Sequence, residues 1–176
     1  DKVDLGNGLP KYTFGFNFNL AWKGFDLSAN FTGAAGFQIA QSYRNPDSSQ
    51  ANYSRRILKR WTGEGTSNEI PRVTYGDVGN WLFSDLYLQD GDYIRLQNLT
   101  MGYDFKKLIS WKGLSKMRLY FQVQNLFTLT KYDGMDPEIG SFNGTDGNSS
   151  DSWVSGVDMG YYPHPRTFIV GLNLAF

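Results

Sequence analysis

Cysteine is absent from the 176 residues, so the chain forms no disulfide, no Cys-ligated zinc or iron–sulfur centre and carries no thiol nucleophile. Histidine occurs once, at His164, which leaves little for imidazole-based metal binding or acid–base chemistry. Net charge is absent too: 17 Lys and Arg balance 17 Asp and Glu, so the basic footprint of a nucleic-acid binder is missing. No stretch approaches the roughly 20 apolar residues of a membrane-spanning helix; this excludes an α-helical membrane protein and leaves a membrane β-barrel open. No basic, apolar leader precedes Asp1, so the chain reads as mature or as a fragment. What is abundant is rings and glycine: 13 Phe, 11 Tyr, 5 Trp and 20 Gly, while hydrophobic residues stop at 40%.

Those rings alternate. From Tyr12 to Trp22 the even positions Tyr12, Phe14, Phe16, Phe18, Leu20 and Trp22 are large and apolar, and the odd positions Thr13, Gly15, Asn17, Asn19 and Ala21 are small or polar. A period of two predicts a strand with one apolar side. After a Lys23-Gly24 turn the pattern resumes through Phe25, Leu27, Ala29 and Phe31, which predicts an antiparallel hairpin. Further strands are expected near 93–105, 118–127 and 167–176, alongside 12–22 and 25–37. Within 93–105, Ile94 and Leu96 have the opposite parity from Leu99, Met101 and Tyr103, so a bulge or burial against other parts is expected there.

The connections alternate in length: a tight turn at 23–24, a long loop over 38–92, a shorter link over 106–117 and a long loop over 128–166. Short turns at one end and long loops at the other are the asymmetry of an outer-membrane barrel. The first long loop predicts a short helix over Gln50–Trp61, capped by Asp47 or Ser48, with Arg55, Arg56, Lys59 and Arg60 as a solvated basic face or a contact for an anionic partner. The second, around 140–151, reads as a polar tip. A soluble sandwich would carry charge on its outer faces. The ring-free side of 12–22 has none, which fits a wet lumen opposite a lipid-facing stripe, although strands of a large soluble sandwich also alternate. Five strands fall short of the minimum of about eight in single-chain barrels, so the chain is expected to be part of a larger one, with a small self-contained barrel as the alternative.

The strings Gly91–Phe105 (GDYIRLQNLTMGYDF), Leu119–Glu138 (LYFQVQNLFTLTKYDGMDPE) and Gly160–Phe176 (GYYPHPRTFIVGLNLAF) closely resemble the C-terminus of SusC/RagA-type TonB-dependent transporters. Leu5–Tyr12 and the loop from Arg60-Trp61 to Pro71-Arg72 are similar as well, so the likeness spans the whole chain. It implies an all-β, antiparallel transmembrane barrel of about 22 strands with a filled lumen, in the outer membrane of a Bacteroidota-type Gram-negative bacterium. It implies import of oligosaccharides, or in some members peptides, under a SusD-like surface lipoprotein lid and powered by TonB. It also implies that Gly171, Leu174 and Phe176 belong to the signal read by the barrel-assembly machinery. The plug and the TonB box lie outside these residues.

Asp133, Asp136 and Glu138 invite a paired-acid glycosidase reading, but Gly134 and Pro137 mark a turn and no nucleophile motif accompanies His164, so no enzyme activity is expected. Asp146, Asn148, Ser150 and Asp151 could contribute to a calcium loop, yet Val157 stands where an EF-hand has its bidentate Glu, so no cofactor is expected. Asn30, Asn52, Asn98, Asn143 and Asn148 open glycosylation sequons that arise by chance in an Asn- and Thr-rich chain. Sugars stack their apolar faces on rings, so the candidate ligand platforms are Trp61, Trp81, Tyr87, Tyr132, Trp153, Tyr161 and Tyr162. Girdle or loop packing is the competing role for each of them. Arg118, Gln122 and Gln124 are expected on the lumen side, satisfying polar contacts with the plug.

Overall fold

The computed structural model describes residues 3–42, 55–74, 83–109, 111–139 and 155–176. Its strands are β1 (Tyr12–Trp22), β2 (Phe25–Ala35), β3 (Gln38–Gln41), β4 (Leu88–Asp90), β5 (Tyr93–Asp104), β6 (Lys116–Thr130), β7 (Val157–Asp158) and β8 (Thr167–Ala175). Five of them form one sheet in the order β1-β2-β5-β6-β8. Every neighbouring pair in it is antiparallel. Among the described residues the sheet is open: β1 pairs only with β2, and β8 only with β6, so no closed barrel is seen.

The register carries the alternation across all four ladders. Leu20, Leu27, Met101, Phe121 and Val170 lie in one row, and Phe18, Ala29, Leu99, Val123 and Phe168 in the next. The parity conflict in β5 is resolved by a bulge: Asn98 pairs with Gln124, but Leu96 pairs with Phe127. Gln97 is the unmatched residue on β5, and on β6 Asn125 takes φ 52. The bulge brings Ile94 and Leu96 onto the same side as Leu99, so the apolar face runs unbroken from Ile94 to Tyr103. Ring pairs line it beside the short turn: Phe25 and Tyr103 across β2–β5 with centroids at 4.3 Å, and Tyr103 with Phe105, two residues on, at 4.9 Å. That turn has positive φ at both Lys23 and Gly24, as a two-residue hairpin matching the strand twist requires.

No described element covers this face. Phe16 is 58% exposed, Trp22 63% and Val170 71%. Strand spacing and rise give it roughly 20 Å by 35 Å, well beyond the few hundred Å² of apolar patch usual on a soluble monomer. Strands of 11 residues, such as β1 and β2, tilted by about 45° span about 25 Å, the height of the apolar band of an outer-membrane barrel.

The ends differ from the alternation in instructive ways. β2 stops at Ala35 because Gly36 turns with φ 77 and gives its amide to Asp92 Oδ1 at 2.6 Å. Phe105 opens a 3-10 turn, held by the Asp104 side chain accepting the Lys106 amide at 3.0 Å. Of the helix expected over 50–61, residues 50–54 and the cap candidates Asp47 and Ser48 lie outside the described residues. Arg55–Lys59 is a 3-10 turn and not α-helix, and the Trp61 amide goes across the loop to the Ile70 carbonyl at 2.8 Å. The long loops are not bare. They contribute a second sheet, β4-β3-β7, with β3 antiparallel to β4 and parallel to β7. Beneath it lies a small core of Ala34, Phe37, Ile39 and Tyr132, with Tyr93 and Ile139 packed against it.

Close strand contact depends on one glycine in particular. A Cβ on Gly33 would meet the Phe14 ring and the Tyr93 backbone carbonyl oxygen at 2.6 Å, and the carbonyl cannot swing aside without disturbing the β2–β5 ladder. On Gly15 the nearest atom is the Phe31 carbonyl oxygen at 3.8 Å. Gly33→Ala is therefore expected to destabilise by about 1–3 kcal/mol, and Gly15→Ala far less. Thermal unfolding of the full-length protein in detergent reads the difference, and equal midpoints for the two variants would contradict this packing.

Candidate functional site

The polar side of the five-stranded sheet is a lattice of small amides and hydroxyls. Asn17 and Asn30 bond across β1–β2, and the Ser28 hydroxyl donates to Asn19 Oδ1 at 2.7 Å. Gln122 and Gln124 continue it on β6, opposite Thr100 and Asn98. Charge appears toward the two ends. Near the short turn, Arg118 reaches diagonally over Gly102 to Asp26, its Nε donating to Oδ1 at 2.8 Å and Nη2 to Oδ2 at 2.5 Å. A side chain at Gly102 would occupy the guanidinium's place. The same economy of space recurs at Gly171, over which the Tyr120 ring lies.

At the loop end the dominant feature is Arg95, 2% exposed on the polar side of β5. Its three nitrogens are all used: Nε donates to Thr128 Oγ1 at 2.9 Å, Nη1 to Glu138 Oε2 at 2.7 Å, and Nη2 to Asp136 Oδ1. Asp136, 4% exposed, also accepts the Glu138 amide at 2.9 Å and the His164 amide at 3.3 Å. A guanidinium taken out of water costs several kcal/mol unless it is paired and hydrogen-bonded, and this one has two carboxylates and a hydroxyl as acceptors. A second buried carboxylate, Asp158, lies beside it in the loop fold. It accepts the Tyr132 hydroxyl at 2.5 Å and the Gly160 and Tyr161 amides at 2.8 and 2.9 Å. Asp136 and Glu138 thus share one cation and do not form a free acid pair, while the Asp133 amide donates to Gln89 Oε1 at 2.8 Å.

The ring candidates separate by this geometry. Tyr132 is 6% exposed and packs in the core, and Tyr87 is half-buried in a 3-10 turn, Asp85–Tyr87. Tyr161 and Tyr162 emerge just past Asp158, Tyr162 at 82% exposed, and the Tyr161 ring lies 6.0 Å from His164. Trp61 sits apart, in a shallow depression of about 420 Å³ lined by Ile70, Pro71 and Arg72. The structure joins Tyr132 and Tyr161 through Asp158, and does not bring Trp61 to them by any contact seen among the described residues. Trp81, Trp153 and the calcium candidates Asp146, Asn148, Ser150 and Asp151 lie outside the described residues. On β8, Leu174 pairs with Met117 and Gly171 with Tyr120, and Phe176 is 87% exposed. Arg95 and Asp158 carry no sequence motif. The one hint was an isolated charge inside the parity conflict of Tyr93–Gln97.

No protein-family profile matches the chain. It is similar over its full length to TonB-dependent receptor P3 of Formosa agariphila, at 35% identity, and to TonB-dependent receptor SusC of Bacteroides thetaiotaomicron, at 28%. These alignments cover 17% and 16% of the two receptors, so the chain spans about a sixth of the length of the curated relatives it matches. A solved structure of the RagAB peptide importer in its open-open state matches 96% of the chain and 17% of its own, with a TM-score of 0.70 and 25% identity.

The Asp26–Arg118 bridge is only partly shielded, with side chains 36% and 19% exposed. A double-mutant cycle with Asp26→Asn and Arg118→Gln is expected to give a coupling of about 1 kcal/mol in thermal unfolding. Strict additivity would show that the two side chains do not interact in the assembled protein.

Proposed function

We infer the function from one premise: the chain is homologous to a segment of SusC/RagA-type TonB-dependent receptors. Such receptors are non-enzymatic, outer-membrane nutrient importers of Gram-negative bacteria. On that footing the five-stranded sheet is a stretch of the wall of a plugged barrel of about 22 strands. Its ring-rich face lies in lipid and its amide lattice lines the lumen against the plug. The observation that carries this reading is the apolar face continuous over five strands, uncovered by any described element and backed by a polar face of small amides and hydroxyls with charge toward its ends. The two edges that are unpaired among the described residues support it, since open backbone edges in hydrocarbon must be met by further strands.

The imported cargo is most consistent with oligosaccharide, captured beneath a SusD-like lipoprotein and drawn in by TonB-driven displacement of the plug, in a Bacteroidota-type bacterium. The exposed Tyr161 and Tyr162, with Trp61 on its own loop, suit the stacking faces of sugars. Peptide cargo is the second reading, favoured by the match to a peptide importer. Gly171, Leu174 and Phe176 are assigned to recognition by the barrel-assembly machinery.

The test is uptake by cells carrying the full-length protein, supplied separately with labelled oligosaccharide and labelled oligopeptide mixtures. Tyr161→Ala combined with Tyr162→Ala is expected to lower oligosaccharide uptake by roughly tenfold, equivalent to about 1.4 kcal/mol, at unchanged amounts in the outer membrane. Loss of peptide uptake alone would reassign the cargo. Unchanged uptake of both would remove these rings from the ligand path.

A further inference from the structure

Two loop segments meet over the polar side of the sheet, and neither is held only by itself. Residues 131–139 are fixed from below by Arg95 of β5 through Asp136 and Glu138. They are fixed from the side by the Asp133 amide on Gln89 and by Thr130, whose hydroxyl donates to the Asp92 carbonyl at 2.8 Å. Residues 155–164 lean on the first segment at two points: the Tyr132 hydroxyl on Asp158, and the His164 amide on Asp136. They also lean on β3, where the Ala40 amide donates to the Gly156 carbonyl at 2.8 Å. The groups at these crossings are among the most buried polar side chains described, with Arg95 at 2%, Asp136 at 4% and Asp158 at 1%. The carboxylate of Asp136 is the shared node, taking Arg95 on one oxygen and the second loop's His164 amide on the other.

A buried charge that loses its partner is strongly destabilising, and because Asp136 serves both segments, displacing it from Arg95 also takes away the acceptor of the His164 amide. We propose that Arg95 is a positioning residue that bolts both loop segments to the strand wall as one rigid rim, holding Tyr161 and Tyr162 in place before any ligand arrives. Preorganisation of this kind spares a ligand the ordering of the loop that receives it. It assigns opening and closing of the entrance to elements other than these two segments.

The proposal builds on the import reading, but its test needs no ligand, so the two fail separately. Hydrogen exchange by mass spectrometry on the full-length protein in detergent would compare the natural sequence with Arg95→Met and Arg95→Lys. In Arg95→Met, amides of 131–139 and those of Gly160 and Tyr161 are expected to exchange faster together, by about tenfold, with the β1–β2 ladder unchanged. Arg95→Lys, which keeps the charge, is expected to recover much of the protection in both segments. Faster exchange confined to 131–139, or no change in either, would overturn the single-rim account. Should Arg95→Met fail to reach the membrane, Tyr132→Phe runs the test in reverse. It removes the hydroxyl that bonds Asp158 and keeps the ring, and a single rim requires faster exchange at the Glu138 amide as well, whereas an unaltered Glu138 would refute it.

Discussion

A two-residue alternation of apolar and polar side chains, kept on its own face across four antiparallel ladders, is the constraint on which everything else depends. A one-residue slip in any ladder would carry rings to the wet side and amides to the apolar side. The bulge at Gln97 and Asn125 is where the chain meets that constraint explicitly: it absorbs an odd number of residues in β5 so that Ile94 and Leu96 rejoin the face of Leu99. With register secured, the sheet has two chemically unlike faces. Its apolar side is left uncovered and, on the proposed reading, meets hydrocarbon, while its polar side satisfies much of its own hydrogen bonding through short side chains such as Asn17, Asn30, Ser28 and Asn19.

The loop end obeys a different rule. There the backbone leaves the ladders, so its polar groups must find partners among side chains and short strand pairings. β3, β4 and β7 supply some, and Asp136 and Asp158 supply others by accepting loop amides. Burying carboxylates for this purpose calls for compensating donors, and Arg95 and Tyr132 are those donors. The glycines at close approaches serve the same compactness: Gly91 lies under the Phe37 ring, and Gly8 crosses Gly156 with the Ser155 carbonyl oxygen 2.6 Å from where a Cβ would be.

Legibility followed the range of the interactions. The stripe from Tyr12 to Trp22, the Lys23-Gly24 turn and the irregularity before Leu99 are local, and each stands in the primary sequence. β3 and β7 did not, because Gln38–Gln41 and Val157–Asp158 are too short to show a period and owe their pairing to distant chain. The helix expected before Trp61 rested on an amphipathic pattern, but the Trp61 amide is captured by Ile70 and the described turn is 3-10. Asp136 and Glu138 were visible as carboxylates, but not as counterions, because the cation they serve is 41 and 43 residues away. Tyr132 resembles the other loop rings in sequence, but distant residues decide its place: it packs with Ala34, Phe37 and Ile39 and donates its hydroxyl to Asp158, 26 residues on.

The central claim is that the two faces of the sheet meet different solvents. A cysteine-free sequence makes it directly measurable. Single cysteines placed in turn at positions 12 to 22 of the full-length protein, in a background otherwise lacking cysteine, can be labelled in intact outer membranes. A lipid-dissolved thiol probe is expected to react at Phe14, Phe16, Phe18 and Leu20. A small water-soluble maleimide is expected to react at Gly15, Asn17 and Asn19, where the plug leaves access. Aqueous labelling at the even positions, or labelling with no period of two, would contradict a lipid-facing wall.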